Sequence, residues 1–289
     1  MPSTLCANPG GDAASIATGL PDFTGPGPCA VAADTGIPVT LPPSSGCGDD
    51  CFLEMHLTAP SAPSQRSAAN ACPFAAPYPV LFLYPGFQLR ASFYGGYAER
   101  LASWGLAVVR YDTRLLDFVP AGVQTGYVTH LLEALAAINS DPSSQWHQRL
   151  DLSRLGAAGH SRGGKLAALH LASRTPPLFT TAYLIDPVDS HGGEDDPSAV
   201  EALRGRGQRF GIAAAGVVGP CNPKDRTRGF WQVAGPGSWR ETVLRGGHAQ
   251  FCNISNWLVE HALDALCGRG NDTHQAEEQL GEITFDVKE

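Results

Sequence analysis

The chain has 289 residues, of which 43% are hydrophobic and 17% are charged, and its formal net charge is −8. This share of apolar residues is enough for a full core and excludes global disorder. An acidic chain without a basic cluster is not expected to bind nucleic acid. No apolar run approaches the roughly 20 residues that span a bilayer, so the sequence predicts a soluble protein.

Both ends of the chain are predicted to lie outside the folded core. Residues 1–28 are rich in Pro, Gly, Ala and Thr without a helical or alternating pattern, which predicts a mobile arm. The same stretch lacks the basic and apolar regions of a signal peptide. Residues 269–289 are acidic and predict a solvated tail. We therefore expect one α/β domain over residues 29–268.

The eight cysteines are unevenly distributed, with a group in the first quarter of the chain and another in the last. Cys47 and Cys51 lack a second pair, or a histidine, at the spacing of a zinc site, so no metal site is expected. Disulfides that pin a loop-rich N-terminal segment are the simplest interpretation. A thiol–disulfide switch is the alternative.

Short apolar segments alternate with helix-like segments through the middle of the chain. Leu131, Leu135 and Ile138, for example, recur at helical spacing. This alternation predicts a mainly parallel sheet with helices on both faces, an α/β fold whose ligands bind beyond the carboxyl ends of the strands. The predicted strands are 51–58, 79–84, 106–111, 155–159, 181–186, 209–214 and 241–245, and the predicted helices include 92–104, 163–173 and 255–266.

One glycine-rich segment carries the pattern of a catalytic nucleophile. Gly159-His160-Ser161-Arg162-Gly163 matches G-x-S-x-G, follows a predicted strand and opens a predicted helix, which is the setting of a nucleophile elbow. Small neighbours let the strand and the helix cross closely around a strained serine. An ordinary helix-capping serine in a glycine-rich turn is the alternative.

A serine nucleophile needs a base and an orienting carboxylate, which follow it in the order acid, then histidine, in an α/β-hydrolase. Asp186 ends a predicted strand after the elbow, and His248 follows a later strand. Asp189, in the same loop as Asp186, is the competing acid. The other histidines after the elbow are expected to be surface or core residues: His170, His191 and His261.

The oxyanion of the reaction needs two hydrogen-bond donors. One is the backbone N–H of the residue after the nucleophile, Arg162. The second is expected from the loop after strand 79–84, where the N–H of Phe87 is the best candidate. A plain Pro-Gly turn is the alternative for this loop.

These segments resemble those of chlorophyllases. The resemblance rests on Gly-His-Ser-Arg-Gly-Gly-Lys at 159–165, Ile-Asp-Pro-Val-Asp at 185–189 and Gly247-His248. It departs from the family in the oxyanion loop, which reads Tyr84-Pro85-Gly86 where the family usually has His-Gly. The cysteine-rich N-terminal segment is also unusual, which favours a divergent or algal member.

The resemblance implies hydrolysis of the phytyl ester of chlorophyll to chlorophyllide and phytol by Ser161, Asp186 and His248. It implies no metal or organic cofactor, and a plastid location. A related esterase or lipase that acts on another lipid or polyester is the alternative, and a tetrapyrrole-binding protein without catalysis is a third hypothesis.

A macrocycle with a long apolar tail requires a wide apolar cleft beside the serine. The apolar loop 115–119 is also the best candidate for a peripheral contact with a membrane surface. The residues predicted to line the cleft are Phe87, Leu89, Phe93, Tyr94, Leu115, Leu116, Phe118 and Val188.

Overall fold

A mixed β-sheet organises the part of the chain that the computed structural model describes, which is residues 23, 25–47, 51–62, 72–113, 119–173, 178–189, 197–254, 257–270 and 283–288. None of the described helices is long and apolar enough to cross a membrane. The strands are β1 (Thr35–Thr40), β2 (Phe52–Thr58), β3 (Tyr78–Tyr84), β4 (Ala107–Asp112), β5 (Leu150–His160), β6 (Thr181–Ile185), β7 (Gly211–Ala215), β8 (Trp239–Val243) and β9 (Ile283–Val287). The helices are α1 (Gly95–Ser103), α2 (Ala121–Ser140), α3 (Arg162–Ala172), α4 (Ala199–Leu203), α5 (Lys224–Val233) and α6 (Trp257–Cys267).

The sheet has the strand order β1-β2-β4-β3-β5-β6-β7-β8-β9. The strands from β4 to β8 are parallel to their neighbours, whereas β1 and β2 on one side and β9 on the other pair in antiparallel fashion. The predicted α/β fold is confirmed, and its parallel centre brings the carboxyl ends of β3, β5 and β6 to one edge of the sheet.

Burial explains why the central strands are nearly continuous apolar runs. All five residues of β7 are buried, whereas β1 alternates between partly buried and exposed residues. Parallel strands carry helices on both faces and therefore bury both sets of side chains. Helix α3 is buried from Gly163 to Ala172, so the helix that begins at the elbow is the most enclosed of the described helices.

The sheet extends beyond the predicted domain boundaries. Ile283–Val287, part of the predicted solvated tail, forms β9 and pairs with β8, and Asp286 Oδ2 lies 2.5 Å from Arg240 Nη2. The alternation of apolar and polar residues in this segment favours a strand, and this preference outweighs the acidity that predicted a solvated tail. Part of the predicted mobile arm is also anchored, because the Gly27 N–H donates to Ser103 Oγ at 2.7 Å.

Three disulfides occur in the described chain, and two of them connect segments more than 40 residues apart. Cys29–Cys72 and Cys47–Cys51 lie in the N-terminal region, as the simplest interpretation of the early cysteines predicts. Cys221–Cys267 joins the loop after β7 to the last residue of α6. The carboxyl-edge loops are thus tied to the C-terminal helix.

Candidate active site

Ser161 occupies a sharp turn between β5 and α3, with φ 57° and ψ −121°. Such a backbone is costly for a residue with a side chain and persists only where the surroundings impose it. A Cβ on Gly163 would lie 2.1 Å from the carbonyl oxygen of Tyr84, so only glycine fits there. Within the described chain Ser161 makes no side-chain capping bond to α3. The geometry therefore favours a nucleophile elbow over a helix-capping serine.

Asp186 and His248 form a buried pair beyond the carboxyl ends of β6 and β8. Asp186 Oδ2 lies 2.5 Å from His248 Nδ1 and also accepts a hydrogen bond from the Asn222 side chain at 2.9 Å. The Ala215 N–H donates to the other carboxylate oxygen at 3.0 Å. Burial raises the pKa of Asp186, but the hydrogen bond and charge of His248 and the other donors hold it below its ordinary value. An ionised Asp186 keeps the ring proton on Nδ1 and leaves Nε2 able to accept one.

Asp189, the alternative acid, forms its hydrogen bonds with the start of α4. Its carboxylate accepts hydrogen bonds from the hydroxyl of Ser198 and the N–H groups of Ala199 and Val200, and therefore holds the start of α4. The ammonium group of the buried Lys165 lies 3.8 Å away. The geometry thus favours Asp186 as the acid of the site.

His248 lies directly against the elbow. The centroid of its ring is 4.5 Å from that of His160, the residue before Ser161. Among the other histidines, His170 is buried against the rings of Tyr84 and Phe179, and His261 is on the exposed side of α6. His191 lies outside the described residues.

The loop after β3 lies beside the start of α3, where the side chains of Phe87 and Arg162 meet. The Arg162 guanidinium lies 5.5 Å from the centroid of the Phe87 ring. Gln88, with φ 57°, turns the loop here, and the Leu89 N–H donates to the Gly86 carbonyl at 3.1 Å. Residues 85–89 and Arg162 line one small cavity.

The predicted cleft residues divide into several groups. Leu89 lines the cavity beside Arg162, and Phe93 is partly buried. Val188 is buried beside the elbow, where its N–H donates to the carbonyl of Ser161 at 3.1 Å. Tyr94 is fully buried and hydrogen-bonded, so its prediction as a cleft residue is wrong. Leu115, Leu116 and Phe118 lie outside the described residues.

The sequence did not reveal Asn222 as a partner of Asp186. The two residues are 36 positions apart, and a single asparagine in a loop belongs to no sequence pattern that predicts a contact. The hydrogen bonds of Tyr94 and His160 were missed for the same reason.

Comparison with known proteins decides the family. Residues 53–219, more than half of the chain, match the chlorophyllase family. The chain belongs to the chlorophyllase family. The matched segment runs from the second residue of β2 to beyond β7 and includes the loop after β3, the elbow and Asp186, whereas His248 lies beyond it.

Other similar proteins are esterases by name. Cutinase est1 and cutinase est2 of Thermobifida alba are each 35% identical to this chlorophyllase-family chain over 101 residues, 35% of the chain and 32% of each relative. The chain thus matches about a third of the length of these curated relatives. The structure of a ferulic acid esterase from Streptomyces cinnamoneus superimposes with a TM-score of 0.54 at 20% identity, over 87% of this chain and 83% of that one. It shares the fold.

Proposed function

We propose that this chain is a serine carboxylic ester hydrolase that cleaves the phytyl ester of chlorophyll into chlorophyllide and phytol. One observation carries the proposal: the elbow serine and the buried Asp186–His248 pair occur together in a chain of the chlorophyllase family. The resemblance noted in the elbow segment at 159–165 is consistent with the same substrate.

The reaction follows from the positions of these groups. Ser161 attacks the ester carbonyl while His248 Nε2 accepts the serine proton, and Asp186 stabilises the imidazolium that forms. The backbone N–H groups of Phe87 and Arg162 bind the oxyanion. His248 then returns its proton to the departing phytol oxygen, and water releases the acyl group by the same route. Every step uses groups of the chain, and the magnesium of chlorophyll belongs to the substrate.

A second candidate is an esterase with the same mechanism and another lipid or polyester substrate. The two relatives named cutinases favour it. The site residues keep their roles in this alternative, and only the groups that line the cleft differ. The substrate therefore has to be tested separately from the chemistry.

The test compares the purified protein with its Ser161→Ala variant on chlorophyll a in mild detergent and on p-nitrophenyl butyrate. Serine-dependent release of chlorophyllide and phytol, measured by chromatography, supports the proposal. Serine-dependent cleavage of the butyrate alone would select the second candidate. If neither substrate is cleaved, the hydrolase assignment itself is wrong.

We further propose that the enzyme works in the plastid and contacts a lipid surface through α6. Leu258 and Leu266 are each 59% exposed and, eight positions apart, lie on one face of this helix, and the disulfide at Cys267 ties the end of the helix to the loop after β7. Exposed apolar side chains of this size favour association with lipid. The Leu258→Ser/Leu266→Ser double variant should sediment less with galactolipid vesicles than the unmutated protein does. Equal sedimentation would exclude this surface.

A further inference from the structure

A continuous chain of hydrogen bonds connects the oxyanion loop to the backbone of His248. The Gly86 N–H, next to Phe87, donates to the hydroxyl of Tyr94 at 3.0 Å. This hydroxyl lies 2.8 Å from Nδ1 of His160. On the other side of the same ring, Nε2 lies 3.0 Å from the carbonyl oxygen of His248. Two side chains therefore link segments that are more than 160 residues apart in sequence.

The chemistry of these groups fixes the direction of each bond. The carbonyl of His248 can only accept, so Nε2 of His160 carries a proton. Burial, reinforced by the nearby His248, lowers the pKa of His160 to about 3, and the ring is therefore neutral. Its Nδ1 then accepts a hydrogen bond, which the hydroxyl of Tyr94 donates. Each member of the chain has a partner of the correct kind.

The chain lies in a closed interior. Tyr94 and His160 are fully buried, and His248 is 5% exposed. A Cβ on Gly86 would lie 3.2 Å from both Tyr94 Oη and His160 Nδ1, and 2.8 Å from Leu89 Cδ1, so this packing favours glycine at the loop. Tight surroundings of this kind transmit a displacement instead of absorbing it.

A neutral His160 also suits the charge that develops during the reaction. His248 becomes a cation when it accepts the serine proton, and the two ring centroids are 4.5 Å apart. A second cation at this distance in a buried site would oppose the proton transfer. The hydrogen bond from Tyr94 to Nδ1 favours the neutral form of His160.

We propose that His160 and Tyr94 are positioning residues, which hold the backbone of His248 at a fixed place relative to the oxyanion loop. The inference rests on the proposed ester hydrolysis but not on the identity of the ester. Neither side chain is assigned a contact with the reacting atoms. Their effect is exerted through His248 and Gly86, where a displacement of about 1 Å can reduce the rate about 100-fold.

Two substitutions of His160 separate positioning from packing. In His160→Gln, an amide N–H stands near the place of Nε2 and can still donate to the His248 carbonyl. In His160→Asn, the amide reaches only the place of Nδ1 and Tyr94. We expect His160→Asn to lower kcat for p-nitrophenyl butyrate 10- to 100-fold with little change in KM. His160→Gln should retain kcat within about 5-fold.

Tyr94→Phe tests the other half of the chain, with Tyr78→Phe as the matched control. Tyr78 is also a buried tyrosine, but it is the first residue of β3, at the end of the strand away from the oxyanion loop. We expect Tyr94→Phe to lower kcat about 10-fold and Tyr78→Phe to leave it unchanged. All rates are divided by the folded fraction from thermal melts, so a loss of stability alone does not count as a loss of kcat.

A spectroscopic measurement tests the hydrogen bonds without any substrate. Nitrogen-15 NMR of the unmutated protein should show one histidine that stays neutral from pH 5 to 9 with its proton on Nε2, and His160→Gln should remove this signal. A titrating His160, or one protonated on Nδ1, would overturn the inference. Equal kcat per folded molecule for His160→Asn and His160→Gln would also overturn it. Failure of the proposed function appears differently, as an unmutated protein that cleaves no ester.

Discussion

Nδ1 of His248 lies 2.5 Å from Oδ2 of Asp186, and the two side chains are only 6% and 2% exposed. A carboxylate removed from water in this way is stable only if several donors replace its hydration. The Asp186 carboxylate receives hydrogen bonds from Asn222 and from the Ala215 N–H in addition to His248. The site therefore fixes both the charge of the acid and the orientation of the base.

Asp186→Asn should lower kcat by about 10³- to 10⁴-fold. A carboxylate can only accept from Nδ1 of His248, whereas an amide can also donate to it, so the variant no longer keeps the ring proton on Nδ1. Asp189→Asn is the matched control. It should lower the melting temperature by weakening the start of α4 while leaving kcat per folded molecule nearly unchanged. The two variants are compared by steady-state kinetics on p-nitrophenyl butyrate and by thermal melts. The opposite ranking of kcat would transfer the acid role to Asp189.

Gly163→Ala should abolish activity or prevent folding. Its Cβ would lie 2.1 Å from the carbonyl oxygen of Tyr84 and would separate the oxyanion loop from α3. Gly126→Ala, in the middle of α2, is the control because the added Cβ meets nothing within 4 Å. It should raise the free energy of unfolding by up to about 1 kcal/mol, since alanine favours helices over glycine. Urea melts and activity measurements of both variants check these two expectations. A folded and active Gly163→Ala protein would contradict the first of them.

His56 should make the stability of the fold depend on pH in the alkaline range. The hydrogen bonds to Asp112 and Asp34 raise the pKa of His56 from its ordinary value near 6.5 to about 9. The folded state thus binds a proton that the unfolded chain loses earlier. This stabilisation is complete below pH 6.5 and is lost as the pH rises through 9.

His56→Gln should flatten the dependence of the melting temperature on pH between 6.5 and 9. His130→Gln, which removes a partly exposed histidine near Glu133 on α2, should leave that dependence as it is. Calorimetric scans at half-unit pH steps make the comparison. If both variants retain the unmutated pH profile, the cluster around His56 does not control it.

The Cys221–Cys267 disulfide should stabilise both the fold and the site. It closes a loop of 46 residue steps, for which chain entropy predicts about 4 kcal/mol, against about 2 kcal/mol for the four steps of Cys47–Cys51. Its sulfurs also lie within 4.8 Å of a ring nitrogen of His248. The double variant Cys221→Ser/Cys267→Ser should therefore lower both the free energy of unfolding and kcat. The double variant Cys47→Ser/Cys51→Ser should lower only the free energy of unfolding. Equal effects on kcat would contradict a link to His248.

Local patterns account for what the sequence predicts well. The central strands are continuous apolar runs, and their predicted limits agree with the structure within a few residues, although β5 begins earlier, at Leu150. The elbow segment predicts its own turn because Gly159 and Gly163 are required within five residues of chain. Strand order places Asp186 and His248 beyond the same carboxyl edge, but only the hydrogen bonds of the structure separate Asp186 from Asp189.

Features that depend on distant partners could not be predicted in the same way. Strand β1 contains Gly36 and Pro38, which oppose a strand prediction, yet it pairs with β2 along its whole length. Helix α5 begins with five polar residues and contains Gly229. The place of Asn222 beside Asp186 depends on how two loops meet. In each case a tertiary contact outweighs the local preference.

Strand β9 has a consequence for the behaviour of the protein in concentrated solution. Five residue pairs, from Trp239–Val287 to Val243–Ile283, occupy the outer side of β8. A truncation after Gly270 would expose the N–H and C=O groups of β8 as a template for another chain. The charged Asp286 and Lys288 make β9 itself a poor template. We therefore expect a chain without this strand to be prone to edge-to-edge aggregation while it retains every group of the candidate site.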